Sequence, residues 1–304
     1  MKNFSIAVHG GAGEDSEFIQ AHQSGYKKGL EDAVKVGYKI LKAGGSALDA
    51  VENAVRSLED NPLFNAGRGS ALNNKGEVEM DASIMDGKKN SAGAISMVRN
   101  VKNPVSLARF IMENTAHVFL SGAGALEIAK DEDLALEVDS YFITEHQVAE
   151  FIKDRKQDDY NAILKKRIHG TVGAVALDKA GNIAAATSTG GTPNCLDGRI
   201  GDSCVIGAGC YANNASCAVS GTGDGELLII NVIAYSIAFY MELKNCSIQE
   251  ACDYVIHQRN KNVEGDIGVI AVDAKGNFGI CFNSERMHRA WKINDEKSTV
   301  KIYK

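Results

Sequence analysis

The sequence predicts an α+β fold, in which strand hairpins and amphipathic helices occur without a regular alternation of strand and helix. Residues 173–183 and 268–278 share one pattern, an apolar strand, an Asp-x-x-Gly-Asn turn and the start of a second strand. Residues 46–58 instead place apolar side chains at helical spacing. Because the hairpin pattern occurs only twice, we interpret it as two hairpins of one sheet and not as a repeat protein.

Composition limits the class of protein. With 304 residues and 44% hydrophobic content, we expect residues 1–304 to bury one large core as a single domain. A net charge of −6 without a dense basic cluster argues against a nucleic-acid partner. The longest apolar segment, residues 227–239, is too short to span a bilayer and predicts a core helix, so no membrane partner is expected.

The cysteines and the N-terminus predict the compartment. The seven cysteines include no CxxC pair, which favours reduced, buried thiols over a disulfide framework. The first residues contain no apolar signal-peptide core, so we expect a cytoplasmic protein.

The remaining elements follow from periodicity and from capping residues. A helix over residues 17–43 is predicted to end at Gly44-Gly45, and Ser46 caps the next helix. Residues 61–69 form a tight loop. Residues 77–85 alternate with a period of two and predict a strand, with residues 93–98 as its partner. Further helices are predicted at residues 104–114, 124–130 and 247–259.

The most informative stretch is His169-Gly170-Thr171 with the hairpin that follows it. The hairpin places Thr171 at its entrance and Thr189 at its exit, where cross-strand neighbours lie close together. Two hydroxyls and flexible glycine backbone could form a nucleophile site, although Gly-Thr before a strand is more often only a turn. Residues 153–167 carry nine charged side chains in fifteen, which predicts a mobile surface segment. A charged arm leading into a buried strand makes sense if the chain is cut before Thr171.

Five blocks, in order from about residue 6 to residue 287, resemble the plant-type asparaginase and isoaspartyl peptidase family of N-terminal-nucleophile hydrolases. They are AVHGGAG, NPLFNAGRGSALNNKGEVEMDASIMDG, HGTVGAVALDKAGNIAAATSTGG, GRIGDSCVIGAGCYANN and SGTGDGE. The resemblance implies a four-layer αββα sandwich and self-cleavage into an alpha subunit, 1–170, and a beta subunit, 171–304. It also implies a homodimer of cleaved protomers.

Amide hydrolysis by a threonine needs a base that takes the hydroxyl proton. A free α-amino group on Thr171 has a reference pKa of about 7.7–8 and suits this role near neutral pH. Producing it requires cleavage of the Gly170–Thr171 bond, and we expect the Thr171 hydroxyl to attack the Gly170 carbonyl. The resulting ester would then be hydrolysed by water.

The other roles combine side-chain chemistry with what the resemblance implies. Asn65 would lie in the active site, and Thr189 would hydrogen-bond the nucleophile. Arg199 offers a fork for a substrate α-carboxylate, and Asp202 could pair with the substrate ammonium, although a surface salt bridge between them is the alternative. The Thr222 hydroxyl and the Gly223 N–H would form an oxyanion hole. The Gly225 carbonyl could also touch the ammonium, and Asp224 receives no role.

The loop after the second predicted helix resembles a sodium-binding loop of the family. We expect no cofactor for catalysis, but a structural Na⁺ could be held by main-chain carbonyls. Carried over from the resemblance, these belong to Leu58, Glu59, Asn61, Phe64, Ala66 and Arg68.

The implied activity is hydrolysis of β-aspartyl (isoaspartyl) dipeptides and L-asparagine, small-molecule substrates that both yield L-aspartate. A glycosylasparaginase is the enzymatic alternative. Glycosylasparaginases typically carry His-Asp before the nucleophile and Thr-Ser-Thr-Asn-Gly after it, where this chain has His-Gly and Thr-Ser-Thr-Gly-Gly. A non-enzymatic alternative is an uncut scaffold that binds a small molecule.

Overall fold

The computed structural model describes residues 3–155 and 170–304, which form two sheets of eight and four strands. In chain order the strands are β1 Ser5–Gly13, β2 Met80–Asp86, β3 Ser91–Val98, β4 Phe119–Ser121, β5 Val172–Leu177, β6 Ile183–Thr189, β7 Cys210–Ala212, β8 Cys217–Gly223, β9 Ile267–Asp273, β10 Phe278–Phe282, β11 Arg286–Ile293 and β12 Thr299–Tyr303. The large sheet has the order β12-β11-β1-β5-β6-β2-β3-β4, and the small sheet has the order β10-β9-β8-β7. Within the described ranges the pairs are antiparallel, apart from β3 with β4.

The helices pack on the sheets in groups that follow the chain. They are α1 Glu17–Ala21, α2 Gln23–Lys42, α3 Ala47–Glu59, α4 Pro104–Asn114, α5 Gly122–Asp131, α6 Asp139–Phe142, α7 Glu145–Arg155, α8 Gly225–Asn231, α9 Ile233–Lys244 and α10 Ile248–Asp253. A π-helical turn, Tyr254–Arg259, continues α10. The mixed helix and sheet content agrees with the predicted class.

Local capping explains where several helices begin. Ser46 accepts a hydrogen bond from the Asp49 N–H at 3.0 Å and fixes the start of α3, as predicted. The single helix predicted over residues 17–43 is wrong, because the chain breaks at His22 between α1 and α2. The Ser16 hydroxyl caps α1 at the position where the predicted helix begins.

The two hairpins have the same turn chemistry but lie in different sheets. Asp178 accepts from the N–H groups of Ala180 and Asn182, and Asp273 does the same for Lys275 and Asn277. The prediction that both belong to one sheet is therefore wrong, since β5–β6 is central in the large sheet and β9–β10 forms one edge of the small one. An aspartate turn fixes which strands pair locally but not which sheet they join.

Three hydrophobic clusters form the core. The largest lies between helices α2, α3 and α4 and one face of the large sheet, and the second lies between the small sheet and helices α9 and α10. The third lies between the inner faces of the two sheets and includes Val175, Ile183, Ala218, Ile270 and Val272. The β5–β6 hairpin thus contributes side chains to two of the three clusters.

The apolar segment after β8 buries only one of its faces. The prediction that this segment is too short to span a bilayer is wrong by length and composition alone, since Gly225–Lys244 passes both criteria. Only 28% of its most apolar window is buried in the protein. The chain breaks at Val232, whose φ of 48° and ψ of 52° separate α8 from α9. One face packs through Leu228 and Ile237, whereas Ile230 and Leu243 are 73% and 65% exposed. The prediction of a core helix is correct for one face only.

Two smaller predictions differ in their boundaries. Strand β2 begins at Met80, three residues after the predicted start, and residues 77–79 precede it without strand pairing. Of the charged segment predicted at 153–167, the residues 153–155 end helix α7. The rest of that segment lies outside the described residues.

Candidate active site

Thr171 lies one residue before β5 and is 5% exposed. Its hydroxyl donates to the Thr189 hydroxyl, and the two oxygens are 3.2 Å apart. Thr189 ends β6, the partner strand in which Val172 pairs with Ser188. The hairpin therefore brings the two threonines together, in the arrangement that the sequence led us to expect.

The carbonyl before Thr171 is held by two donors. The Asn65 Nδ2 donates to the Gly170 oxygen at 2.8 Å, and the Thr189 hydroxyl donates to it at 3.1 Å. Asn65 also donates to the Gly191 carbonyl at 2.7 Å and accepts from the Ala71 N–H. The Asn65 amide is thus fixed by three hydrogen bonds, and two donors converge on the carbonyl of the Gly170–Thr171 bond.

Beneath the nucleophile lies a buried histidine that the sequence did not single out. The His9 Nδ1 lies 3.0 Å from the Thr171 carbonyl oxygen, and its Nε2 lies 2.8 Å from the Ser220 hydroxyl. Burial lowers the pKa of His9 to about 3, so the ring is neutral and Nδ1 donates to Thr171. Gly173 permits this contact, because a side-chain carbon there would lie 2.4 Å from the His9 Nε2.

Arg199 and Asp202 both border the threonine site, but Arg199 pairs with a different acid. Its Nε and Nη2 each lie 2.9 Å from a carboxylate oxygen of Glu226, a bidentate pair. Asp202 is 3% exposed, and its Oδ2 has no hydrogen-bond partner among the described residues. Burial raises the pKa of Asp202 to about 7, and the Arg199 charge opposes that rise.

Asp81 lies next to Thr189 and Gly201, and the sequence did not single it out either. It pairs with Thr189 across β2 and β6, and its carboxylate accepts from the N–H groups of Met97 and Gly201, each at 3.0 Å. Burial raises its pKa to about 6. The only sequence signal was its place in the EMDASIMD block, where nothing distinguishes it from an exposed strand residue.

The predicted oxyanion residues lie at the end of β8. The Thr222 hydroxyl accepts from the Ala12 N–H at 3.2 Å, which leaves its own proton free to donate. Gly223 has a φ of 123° and borders the same cavity as Thr171. Gly225 begins α8 beside Arg199 and Asp202. Asp224, which has no assigned role, accepts from the Asp266 N–H and ties α8 to β9.

Two cavities meet at Gly170. One holds only about 10 Å³, and its wall includes Thr171, Arg199, Asp202 and Gly223. The other holds about 540 Å³ and is bordered by Asn65 and Gly170. The small cavity is about the size of one water, so it leaves no room for a larger molecule beside Thr171 in the uncut chain.

The predicted sodium loop brings carbonyl oxygens together. A side-chain carbon built on Gly69 would lie 2.6 Å from the Pro62 oxygen and 2.7 Å from the Phe64 oxygen. Gly69 has a φ of 103°, which favours glycine. Several of the predicted ligands already accept one hydrogen bond, for example Glu59 from the Arg68 N–H at 2.7 Å. A carbonyl has two lone pairs, so an oxygen that accepts one hydrogen bond retains a lone pair that could contact a hard cation.

Sequence comparisons identify related proteins over the whole chain. The family model described as Asparaginase matches residues 2–302. The isoaspartyl peptidase of Salmonella typhimurium is 44% identical over 312 residues, covering 100% of both chains. The probable isoaspartyl peptidase/L-asparaginase 2 of Arabidopsis thaliana is 41% identical and also covers 100% of both chains. The isoaspartyl peptidase/L-asparaginase of Mus musculus is 45% identical over 93% of this chain and 86% of its own.

Proposed function

The chain belongs to the asparaginase family, and from that premise we propose that it is a threonine-nucleophile amidohydrolase that releases L-aspartate from β-aspartyl dipeptides and L-asparagine. One observation carries this proposal. The Thr171 hydroxyl contacts Thr189 at 3.2 Å, and two donors hold the adjacent Gly170 carbonyl beside the half-buried Arg199 and the buried Asp202. The names of its relatives point to the same substrates.

Self-cleavage comes first in the proposed sequence. The Thr171 oxygen attacks the Gly170 carbonyl carbon, the C–N bond breaks, and the released nitrogen takes the hydroxyl proton. Asn65 and Thr189 already donate to the carbonyl oxygen on which negative charge develops. Water then hydrolyses the ester, giving subunits 1–170 and 171–304 with a free amine on Thr171.

Turnover repeats the same chemistry on a substrate. The Thr171 amine takes the hydroxyl proton, and the oxygen attacks the side-chain amide carbonyl of the aspartyl group. The proton passes to the departing nitrogen, and water hydrolyses the aspartyl ester. The Thr222 hydroxyl and the Gly223 N–H stabilise the oxyanion, while Arg199 and Asp202 hold the α-carboxylate and the α-ammonium. The Gly225 carbonyl assists Asp202.

The fold implied by the family suits this chemistry. Helices, the large sheet, the small sheet and a second helix group would stack as a four-layer αββα sandwich within one domain. The three separate hydrophobic clusters support this layering, since each lies at one interface between successive layers.

The carbonyl loop is our proposed site for a structural Na⁺. The cation would hold residues 58–68 in the conformation that presents Asn65 to Gly170. Exchange of Na⁺ for a bulky organic cation is expected to lower the melting temperature, and an unchanged melting temperature would remove the cation from this account.

The exposed face of α8 and α9 is our proposed contact between two copies of the chain. Ile230, Tyr235, Phe239 and Leu243 are each at least 46% exposed on it. Such a patch is typical of an interface. We propose that the enzyme works in the cytoplasm. Sedimentation at near-neutral pH and physiological salt should show a dimer, and Leu243→Glu should weaken that dimer.

The proposed function is tested by intact mass and by product analysis of the purified protein. We expect fragments with the masses of 1–170 and 171–304, and L-aspartate from both substrate classes. A chain that remains uncut while it still turns over would contradict the mechanism. A cut chain that hydrolyses neither substrate would contradict the substrate assignment.

A further inference from the structure

The larger cavity beside Gly170 contains a buried cation that the proposed mechanism does not use. Arg286 is 3% exposed and borders this cavity of about 540 Å³. Its Nε donates to the Glu14 carbonyl at 2.9 Å, and its Nη1 lies 3.2 Å from the His288 Nδ1. No carboxylate in residues 3–155 or 170–304 lies within 4.0 Å of its guanidinium.

A buried guanidinium without a carboxylate in direct contact is costly, which raises the question of which group could balance the charge of Arg286. The neighbouring Arg289 provides a comparison on the same strand. Its guanidinium donates to the carbonyls of Met287, Ile302 and Tyr303, which explains it as a structural residue. Within the described residues, the Arg286 Nη2 has no such acceptor, and the residue lines the cavity.

The surroundings of Arg286 keep its fork in place. Burial lowers the pKa of its guanidinium, and the charges of Asp15 and Asp266 oppose that shift but form no ion pair with it within the described residues. Burial lowers the pKa of His288 to about 3, so this ring is neutral and accepts from Arg286. Tyr26 stacks on His288 with ring centroids 4.4 Å apart. At the rim, Glu150 lies 3.7 Å from the Lys153 Nζ. The cavity therefore has a hydrogen-bonded guanidinium at its buried end, and the carboxylates of Glu17 and Glu150 lie elsewhere on its wall.

Strand register places this buried end of the cavity on one side of the nucleophile. Strand β1 lies between β5 and β11, with His9 opposite Gly173 and Gly13 opposite Arg286. Two strand spacings, on the order of 10 Å, separate β5 from β11. A departing amino acid and an arginine side chain can span that distance together.

The proposed chemistry decides what enters this cavity. The departing nitrogen must receive its proton from the Thr171 amine, so it leaves on the side where Gly170 was attached. Gly170 borders both cavities, and its departure joins them. The leaving group of a β-aspartyl dipeptide is an amino acid with an α-carboxylate, whereas that of L-asparagine is ammonia.

We infer that this cavity is the leaving-group subsite and that Arg286 binds the α-carboxylate of the amino acid released from a β-aspartyl dipeptide. The inference rests on the proposed function. Arg286 is thus a specificity-determining residue that favours dipeptides over L-asparagine. A charge-assisted contact of this kind changes kcat/KM by roughly 10- to 100-fold.

The test compares three substrates: a β-aspartyl dipeptide with a free carboxylate, the same dipeptide as its C-terminal amide, and L-asparagine. The wild type should prefer the acid over the amide by roughly 10- to 100-fold in kcat/KM. Arg286→Gln should bring that ratio close to one and lower the dipeptide-to-asparagine ratio by a similar factor. Arg289→Gln is the matched control, and it should keep both ratios while lowering the melting temperature.

Each outcome has a defined meaning. Equal kcat/KM for acid and amide in the wild type overturns the subsite, whether or not Arg286→Gln folds. An unchanged acid-to-amide ratio in a folded Arg286→Gln protein overturns it too. Failure of the wild type to hydrolyse any of the three substrates instead overturns the proposed function, so the two failures are distinguishable.

Discussion

The two sides of the Gly170–Thr171 bond are built differently. On the acyl side, Arg199 is already paired with Glu226, and the cavity holds about 10 Å³. On the amine side, Arg286 has no carboxylate partner in the described chain, and the cavity holds about 540 Å³. Under the proposed function, we expect this difference to restrict the acyl side to the aspartyl group and to let the amine side accept leaving groups of different sizes.

The nucleophile stands between the two sides, so its removal should have the largest effect. Thr171→Ala is expected to leave the chain whole and to lower kcat by at least about four decades, because neither reaction has an attacking oxygen. Denaturing gels and aspartate release measure the two losses. Thr171→Ser is the control and should retain part of both reactions, and a cut Thr171→Ala chain would break the shared mechanism.

Substitution of Arg199 should lower substrate hydrolysis without affecting self-cleavage. Gly170 has no α-carboxylate to bind, so Arg199→Ala should mature largely intact yet lose roughly two to three decades in kcat/KM on β-aspartyl dipeptides. Arg199→Lys should recover only part of the lost kcat/KM, since the point charge of a lysine cannot reproduce the two parallel hydrogen bonds of the guanidinium. Near wild-type hydrolysis by mature Arg199→Ala would leave the residue a structural partner of Glu226.

Asp202 should show a smaller effect that depends on pH. With a pKa near 7 in the free protein, it is ionised above that pH and largely neutral below it. Asp202→Asn should therefore cost about 10- to 100-fold in kcat/KM above pH 8, and the difference from wild type should shrink as the pH falls below 6. A constant ratio from pH 5 to 9 would show that the Asp202 charge does not hold the substrate ammonium.

Local pattern predicted the parts of the site that one hairpin supplies. Thr171 and Thr189 are 18 residues apart, and the turn at Asp178 closes the hairpin between them. The same reasoning could not assign β9–β10 to a separate sheet, because sheet membership depends on packing between distant segments. It also joined α1 to α2, since His22 breaks a pattern that otherwise continues.

The residues that the sequence did not single out contact partners that are far away along the chain. His9 reaches Thr171 over 162 positions, and Arg286 bonds Glu14 over 272. The sequence predicted that the Arg199 guanidinium binds the substrate or pairs with Asp202. In the structure it pairs with Glu226, because α8 begins beside Arg199. Nothing in the composition around these residues distinguishes them from ordinary strand or helix positions.

The donors that hold the Gly170 carbonyl belong to the same chain as the bond itself. The proposed cleavage is therefore unimolecular, and the time needed to reach full activity should not change on dilution. A purified, freshly folded sample should show a lag of fixed length at any enzyme concentration. The Asn65 amide lies 2.8 Å from that carbonyl oxygen. Under the proposed mechanism, Asn65 therefore affects the rate at which activity appears as well as the geometry of the site.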